Sequence, residues 1–220
     1  MDVIEAIKTR KSIRAFKPEP VPREVLENII KAASYAPSWA NTQPWEFSVL
    51  STHALDEVRI AVNEKATAGE KPSLDIPPPE FTETYSQRTR ALMKQIQSHV
   101  EANQAGSNVA PNWWAGVTQW FEAPNGVVLY MDSSLGEWSI LDTGMALQNL
   151  MLAAWHYGVG TCPMAVAVHY PDILRDLLNI PRSKRIILGV AMGYPDFSSP
   201  LATFRSNREP LEEFVRWHGF

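Results

Sequence analysis

Apolar positions along this chain switch repeatedly between helical spacing and strand-like runs, a pattern that predicts helices interleaved with strands. Val3, Ile4, Ala6 and Ile7 share one face of a helix over 3–9. Pro22 sits at a first-turn position of the next helix, whose apolar face is Val25, Leu26, Ile29, Ile30 and Ala33, and which stops before Pro37. Trp45 to Leu50 alternates and is rich in β-formers, so a strand is expected there, followed by an amphipathic helix over 53–62. Sparse anchors at Tyr85, Leu92, Ile96 and Val100 predict a polar helix over 80–104. Gly126 to Met131 is a continuous apolar run of the kind buried on both faces of a sheet. Residues 139–157 form a helix apolar nearly all round, where Gly144, Ala146, Ala153 and Ala154 permit close approach of neighbours. An amphipathic helix over 170–178 and a buried strand from Arg185 to Gly193 complete the pattern.

The stretches between these elements are as informative. Residues 64–80, rich in Gly, Pro, Lys and Glu, read as a loop or lid base, and residues 113–121 concentrate Trp113, Trp114, Trp120 and Phe121. Those aromatics are either plain packing or a wall over a ligand pocket, with Trp113 and Trp114 the wall candidates. Gly158-Val159-Gly160 ends the long helix, and Thr161 to Val166 is a constrained, small-residue segment where a flat ligand can approach backbone N–H groups. The last residues carry Trp217 and Phe220, which would waste apolar area in water, so this tail is expected to dock across a partner subunit.

Composition narrows the functional classes. With 220 residues, 45% of them hydrophobic, the chain can bury a sizeable core, and one domain is expected. A net charge of −4 with the 20 Lys and Arg scattered argues against a nucleic-acid partner. The single cysteine, Cys162, excludes an intramolecular disulfide framework, and the five histidines lie too far apart to suggest a metal site. No charged residue is near Cys162 in sequence, so it reads as a buried small side chain rather than a nucleophile. Early charges at Asp2, Glu5 and Lys8 speak against a secretory signal, and a cytoplasmic location is expected. The apolar stretch 139–157 carries Asp142, Gln148, Asn149 and His156 and falls short of a membrane span of about 20 apolar residues, so no membrane partner is expected. No Gly-x-Gly-x-x-Gly or Walker-type loop occurs, which weakens Rossmann and P-loop readings.

Candidate chemistry gathers at a few places. From Ala36 to Phe47, Pro37 and Pro44 bracket Ser38, Trp39, Asn41, Thr42 and Gln43 in a stiff, non-repetitive shape. Uncharged donors and acceptors on such a loop suit a flat heterocycle edged with carbonyls and ring nitrogens; the alternative is a connection capped by its own side chains. Arg10, Lys11, Ser12 and Arg14 put three cations and a hydroxyl within five residues. Helix-dipole compensation accounts for Arg10 and Lys11 but has no need of Ser12 or Arg14, whereas a phosphate monoester matches the whole set. Arg205 and Arg208 form a second cation pair, and Gln148 is a polar exception on the long helix that needs backbone or ligand partners. His169, just before a helix, reads as a cap or surface residue rather than a catalyst.

Four of these segments in this order resemble the nitroreductase family of FMN flavoproteins: Arg10 to Arg14, Ala36 to Trp45, Leu147 to Ala154 with Gly158 to Cys162, and Gly193-Tyr194-Pro195 with Arg208-Glu209-Pro210-Leu211. The resemblance runs nearly end to end and omits only 64–120, a region that varies in the family. It implies an α+β fold with a mixed central sheet flanked by helices, one domain over 1–220 with a helical insert or lid at about 64–120 and a C-terminal arm at about 195–220. It also implies an intertwined homodimer with FMN at the interface. Carried over, Arg10, Ser12, Arg205 and Arg208, assisted by Lys11, hold the FMN phosphate, and Arg14 lies by the pyrimidine side of the ring. Pro37, Ser38, Trp39 and Asn41 come from the other subunit, Gln43 and Gln148 bond ribityl or ring atoms, and Pro163, Met164 and Ala165 back the ring. An acidic residue and a glycine often follow that proline in the family; Met164, Ala165 and Val166 stand there instead. The implied activity is ping-pong electron transfer from NADH or NADPH to nitroaromatics or quinones, with no catalytic side chain and no metal; reduction of activated alkenes, dehalogenation or flavin binding without turnover are the alternatives.

Overall fold

The computed structural model describes residues 2–103 and 116–220, built around four strands: β1 (Glu46–Leu50), β2 (Asn125–Asp132), β3 (Gly160–Met164) and β4 (Lys184–Gly193). They lie in the order β1-β2-β4-β3, each pair antiparallel. The parallel component of the sheet among the described residues is a single bridge, Ser12 to Thr161, beside β3. There Ile13 donates its N–H to the Thr161 carbonyl at 2.9 Å, which fixes the cationic N-terminal run against the sheet edge. The two central strands carry the continuous apolar runs, with Val127, Val128, Met131, Val190, Ala191 and Met192 fully buried, as a sheet covered on both faces requires.

Helices supply the two covers. On one face α2 (Arg23–Ala33) packs Leu26, Ile29 and Ala33 along the long helix α5 (Glu137–His156), whose Leu150, Met151 and Ala154 meet Val127, Val190 and Met192 of the sheet. On the other face α3 (Thr52–Thr67) and α6 (Pro171–Leu178) bury Leu55, Val58, Ile173 and Leu174 against Val128, Ile186 and Ala191. The short α1 (Val3–Thr9) starts where the Asp2 carboxylate accepts from the N–H groups of Ile4 and Glu5, and α3 is capped by Ser51 Oγ in the same way.

Three differences from the pattern-based expectations have physical causes. The segment 161–166 is not wholly irregular, because Gly160–Met164 is a strand; Pro163 hides it in the sequence and is tolerated because β3 is an edge. Helix α3 runs on to Thr67 rather than ending at Val62, its last turn polar and solvent-facing. The base at 64–80 is pinned rather than loose: Asp75 accepts from Arg175 Nη2 at 2.5 Å and from the Ile186 N–H at 2.7 Å, and Tyr170 OH donates to the Glu70 carbonyl.

The insert helix α4 (Glu83–Asn103) does not join the main core. It buries Ile96 and Val100 against Phe204, beside the short helix α7 (Pro200–Thr203), so insert and C-terminal segment share a satellite cluster. Before β2, after a helical stretch at 116–118, the chain makes a left-handed turn at Trp120, Phe121 and Glu122, at φ of 52°, 51° and 57°. Arg59 clamps it, donating from Nε to the Gln119 carbonyl at 3.0 Å and from Nη2 to the Ala123 carbonyl at 2.6 Å. Trp120 is fully buried there, and its ring lies 2.6 Å from where a Cβ on Gly189 would be, so that position in β4 admits no side chain. No helix of the described residues is long and apolar enough to cross a membrane.

Candidate functional site

Arg10 ends α1, and the bridge to β3 then turns the chain so that Arg10, Lys11, Ser12 and Arg14 face a common cavity of about 190 Å³. Phe204, Arg205, Ser206 and Arg208 form its second wall, and Leu92 of α4 its third. The two cationic runs at opposite ends of the sequence therefore meet, and Lys11 Nζ donates to the Thr203 carbonyl at 3.2 Å. Five cations and no carboxylate line the cavity.

The electrostatics are those of an anion site. Burial holds Arg10 below the ordinary guanidinium range, and the charges of Arg208 and Arg205 push it further down. Lys11 is lowered as well, by burial first and by Arg205 second. Arg10 Nε is buried and has no hydrogen-bond partner among the described residues, an uncommon cost for a charged group. Arg208 is pre-set by its own turn, where Nη1 donates to Ser206 Oγ and the Asn207 carbonyl, both at 2.9 Å. Arg88 of α4 pairs with Glu209 at 3.3 Å, drawing the nearby carboxylate away from the cavity. A dianion with several acceptor oxygens fits this donor set, and the unpartnered Arg10 Nε is one donor waiting for it.

Deeper in, Arg14 Nη1 reaches the Ser12 carbonyl at 3.4 Å and its guanidinium also bonds the Cys162 thiol. Sequence neighbours alone left Cys162 without charged company; the β3 bridge brings Arg14 to it. The thiol is 3% exposed, and burial raises its pKa despite Arg14, so it is an inert packing group. His169 is half-buried, ends a 3-10 turn, and is held below the ordinary imidazole range by burial; its carbonyl accepts from the Ser73 N–H.

The proline-bracketed loop lies elsewhere. Its 3-10 turn, Trp39–Asn41, packs on α5, where the buried Asp142 carboxylate accepts the Trp39 N–H at 3.1 Å. Gln43 N–H donates to Ser38 Oγ at 2.9 Å and its side-chain amide to the Asn41 carbonyl at 3.2 Å, so part of the loop's polar set is spent on itself. Ala40, Asn41 and Gln43 nevertheless hold left-handed φ values of 48°, 57° and 46°, strain that the surrounding bonds must sustain. Within one chain Pro37, Ser38, Trp39, Asn41 and Gln43 do not line the arginine cavity. Trp39 is 62% exposed and meets Trp138 edge-on at 5.4 Å.

Gln148 is half-buried on α5 and does not line the arginine cavity within one chain. Pro163 and Met164 end β3 and Ala165 follows it, exposed; none of the three lines the cavity. Trp113 and Trp114 lie outside the described residues. Sequence reasoning missed Leu92, Ser206, Trp138 and Asp142. Of these, Asp142 had a signal, as a carboxylate in an otherwise apolar helix, and Ser206 another, as the hydroxyl between two arginines.

Comparison with known proteins places the chain in context. The family model described as "Nitroreductase family" matches residues 7–194. Chloronitrobenzene nitroreductase of Comamonas testosteroni is 32% identical over 215 residues, covering 96% of this chain and 94% of that protein. The 4-nitrobenzoate reductase of Pseudomonas putida is 29% identical over 228 residues, covering 100% and 96%. Among solved structures, an FMN- and NADPH-dependent nitroreductase from Sphigopyxis sp. strain HMH superposes with a TM-score of 0.89 at 28% identity, covering both chains in full.

Proposed function

The chain belongs to the nitroreductase family, and on that premise we propose that it is an FMN-dependent oxidoreductase carrying electrons from NAD(P)H to nitroaromatic or quinone acceptors. The observation that carries this reading is the carboxylate-free arginine cavity with its unpartnered Arg10 Nε, which suits the phosphate of FMN. In this reading Arg10, Ser12, Arg205 and Arg208 bind that phosphate and Lys11 adds charge. When bound, the flavin supplies hydride acceptance and electron donation, so no side-chain acid or base is needed. Arg14, held by Ser12 and Cys162, sets a positive charge beside the ring, which favours negative charge there and raises the reduction potential. Pro163, Met164 and Ala165 back the ring, and Gln43 and Gln148 bond its ribityl or ring atoms.

A second copy completes the site. Support comes from apolar surface that one chain leaves uncovered: Val3, Ile4 and Ile7 on α1, and Trp138 and Leu141 on α5. The C-terminal Leu211, Phe214, Trp217 and Phe220 are likewise exposed, Phe220 completely. The rigid loop with Pro37, Ser38, Trp39 and Asn41 then serves the neighbouring copy's flavin, which gives its left-handed residues a purpose, and Trp39 walls the acceptor pocket. Anaerobic stopped-flow tests the proposal: NADPH or NADH bleaches the yellow protein, and a nitroarene or quinone restores the colour. Turnover confined to activated alkenes would move the assignment within the family, and colourless protein that takes up no FMN would refute it.

A further inference from the structure

A second cavity, of about 480 Å³, adjoins the arginine cavity and shares Phe204 and Arg205 with it. Its far wall is α4, which contributes Lys94, Gln95, Ser98 and His99; Asn207 closes the other side. We propose that this trough takes the adenosine 2′-phosphate end of the reductant, so that NADPH is preferred to NADH and Lys94 reads the phosphate that NADH lacks. The inference rests on the flavin reading above and adds the identity of the reductant to it.

The lining matches that ligand in three respects. Lys94 and Arg205 are its cations and no carboxylate faces them, an arrangement that favours a dianionic monoester. The neighbouring acid, Glu209, is paired with Arg88 in the adjoining groove. Ala91 is exposed and the His99 ring half-exposed on the trough wall, surface on which a purine can rest, and His99 is fixed there by Thr203 Oγ1 at 3.0 Å and by edge contact with the buried Phe204 at 5.7 Å. Gln95, Ser98 and Asn207 supply neutral donors and acceptors suited to ribose hydroxyls. The volume is within the range that nucleotide-sized ligands occupy. Arg205 stands between the two cavities, so one guanidinium borders both phosphates.

Two measurements on the FMN-loaded protein decide the matter. The ratio of kcat/KM for NADPH to that for NADH is compared among the parent, Lys94→Ala and Lys94→Glu. The parent is expected to favour NADPH, Lys94→Ala to cut the ratio about tenfold, and Lys94→Glu to cut it further, as loss and reversal of one charge-assisted contact imply. Calorimetry with 2′,5′-ADP and 5′-AMP in excess FMN gives a readout free of turnover: the parent binds 2′,5′-ADP more tightly, and Lys94→Ala abolishes the difference. A parent indifferent between the two reductants, or a ratio unchanged in both variants, overturns the proposal. The calorimetric comparison decides for or against the Lys94 site even if no flavin chemistry is found, so the two readings fail separately.

Discussion

Arg10 is where stability and binding pull hardest against each other. Half-buried, repelled by Arg205 and Arg208, and with Nε unpartnered, it is a cation that the flavin-free fold holds at a cost. Replacing it by a similar apolar side chain, Arg10→Met, is expected to raise the melting temperature of flavin-free protein while weakening FMN at least tenfold, since a charge-assisted hydrogen bond contributes about 1.5–3 kcal/mol. Thermal unfolding of the apo-protein and an FMN titration measure the two effects, and a variant that lost stability without losing affinity would make Arg10 structural. The cations were legible in the sequence because their number exceeded what a helix terminus needs. Leu92 was not, since an apolar residue on an apolar helix face carries no mark of what it covers.

At the scale of elements, local strain and ion pairs make separate predictions. The left-handed turn at Trp120–Glu122 precedes β2 and is held by Arg59. Glu122 is exposed with φ of 57°, so Glu122→Gly relieves strain of about 1 kcal/mol and should raise the chemical-denaturation midpoint. Lys184 on β4 ties three strands together, pairing with Glu46 of β1 at 2.7 Å and Asp132 of β2 at 3.5 Å. Glu46 foremost, then Asp132, holds Lys184 above the ordinary lysine range, so its contribution is complete below pH 10.5 and is lost as pH rises through the higher folded value. Bonds from Ser134, then Lys184, hold the Asp132 carboxyl below its ordinary 3.8, so that contribution is present above this value and is lost as pH falls through the lower folded one. Lys184→Met should therefore lower the melting temperature across the neutral range and flatten its fall above pH 10.5, measured as melting temperature against pH; an alkaline fall as steep as the parent's would contradict it.

These elements also mark what the hydrophobic pattern reveals. The central strands and the long helix α5 were readable because burial on both faces demands continuous apolar residues, and β2 and β4 have them. Strand β3 was obscured by Pro163, which only an edge position tolerates, and edge status is a tertiary fact. The turn at 120–122 has no glycine or asparagine to announce positive φ, so nothing local signals it. Its cause, the burial of Trp120 against Gly189, spans distant parts of the chain.

Over the whole molecule, the insert and the C-terminal segment become one unit. The insert helix α4 and the segment 204–209 pack on each other through Ile96, Val100 and Phe204, and together they wall the arginine cavity. The sequence placed each segment but could not pair them, because their contacts are few and far apart along the chain. Apolar residues on α1, α5 and the C-terminal arm remain on the surface of the single chain, which is the physical argument for a dimer. Truncation after Pro210 keeps Arg208 but removes Leu211, Phe214, Trp217 and Phe220, and should weaken association, measured by sedimentation over a concentration series. A truncated chain that associates as tightly as the parent would assign the interface to the helices alone.

The central claim, that separated arginines converge on one phosphate, is tested most directly by comparing FMN with riboflavin, which differs by that group alone. Fluorescence titration of the parent should show FMN bound far more tightly than riboflavin. The double variant Arg10→Ala/Arg208→Ala should lose most of that preference, with riboflavin affinity little changed. A parent that does not distinguish the two flavins, or a double variant that keeps the full preference for FMN, would contradict the account.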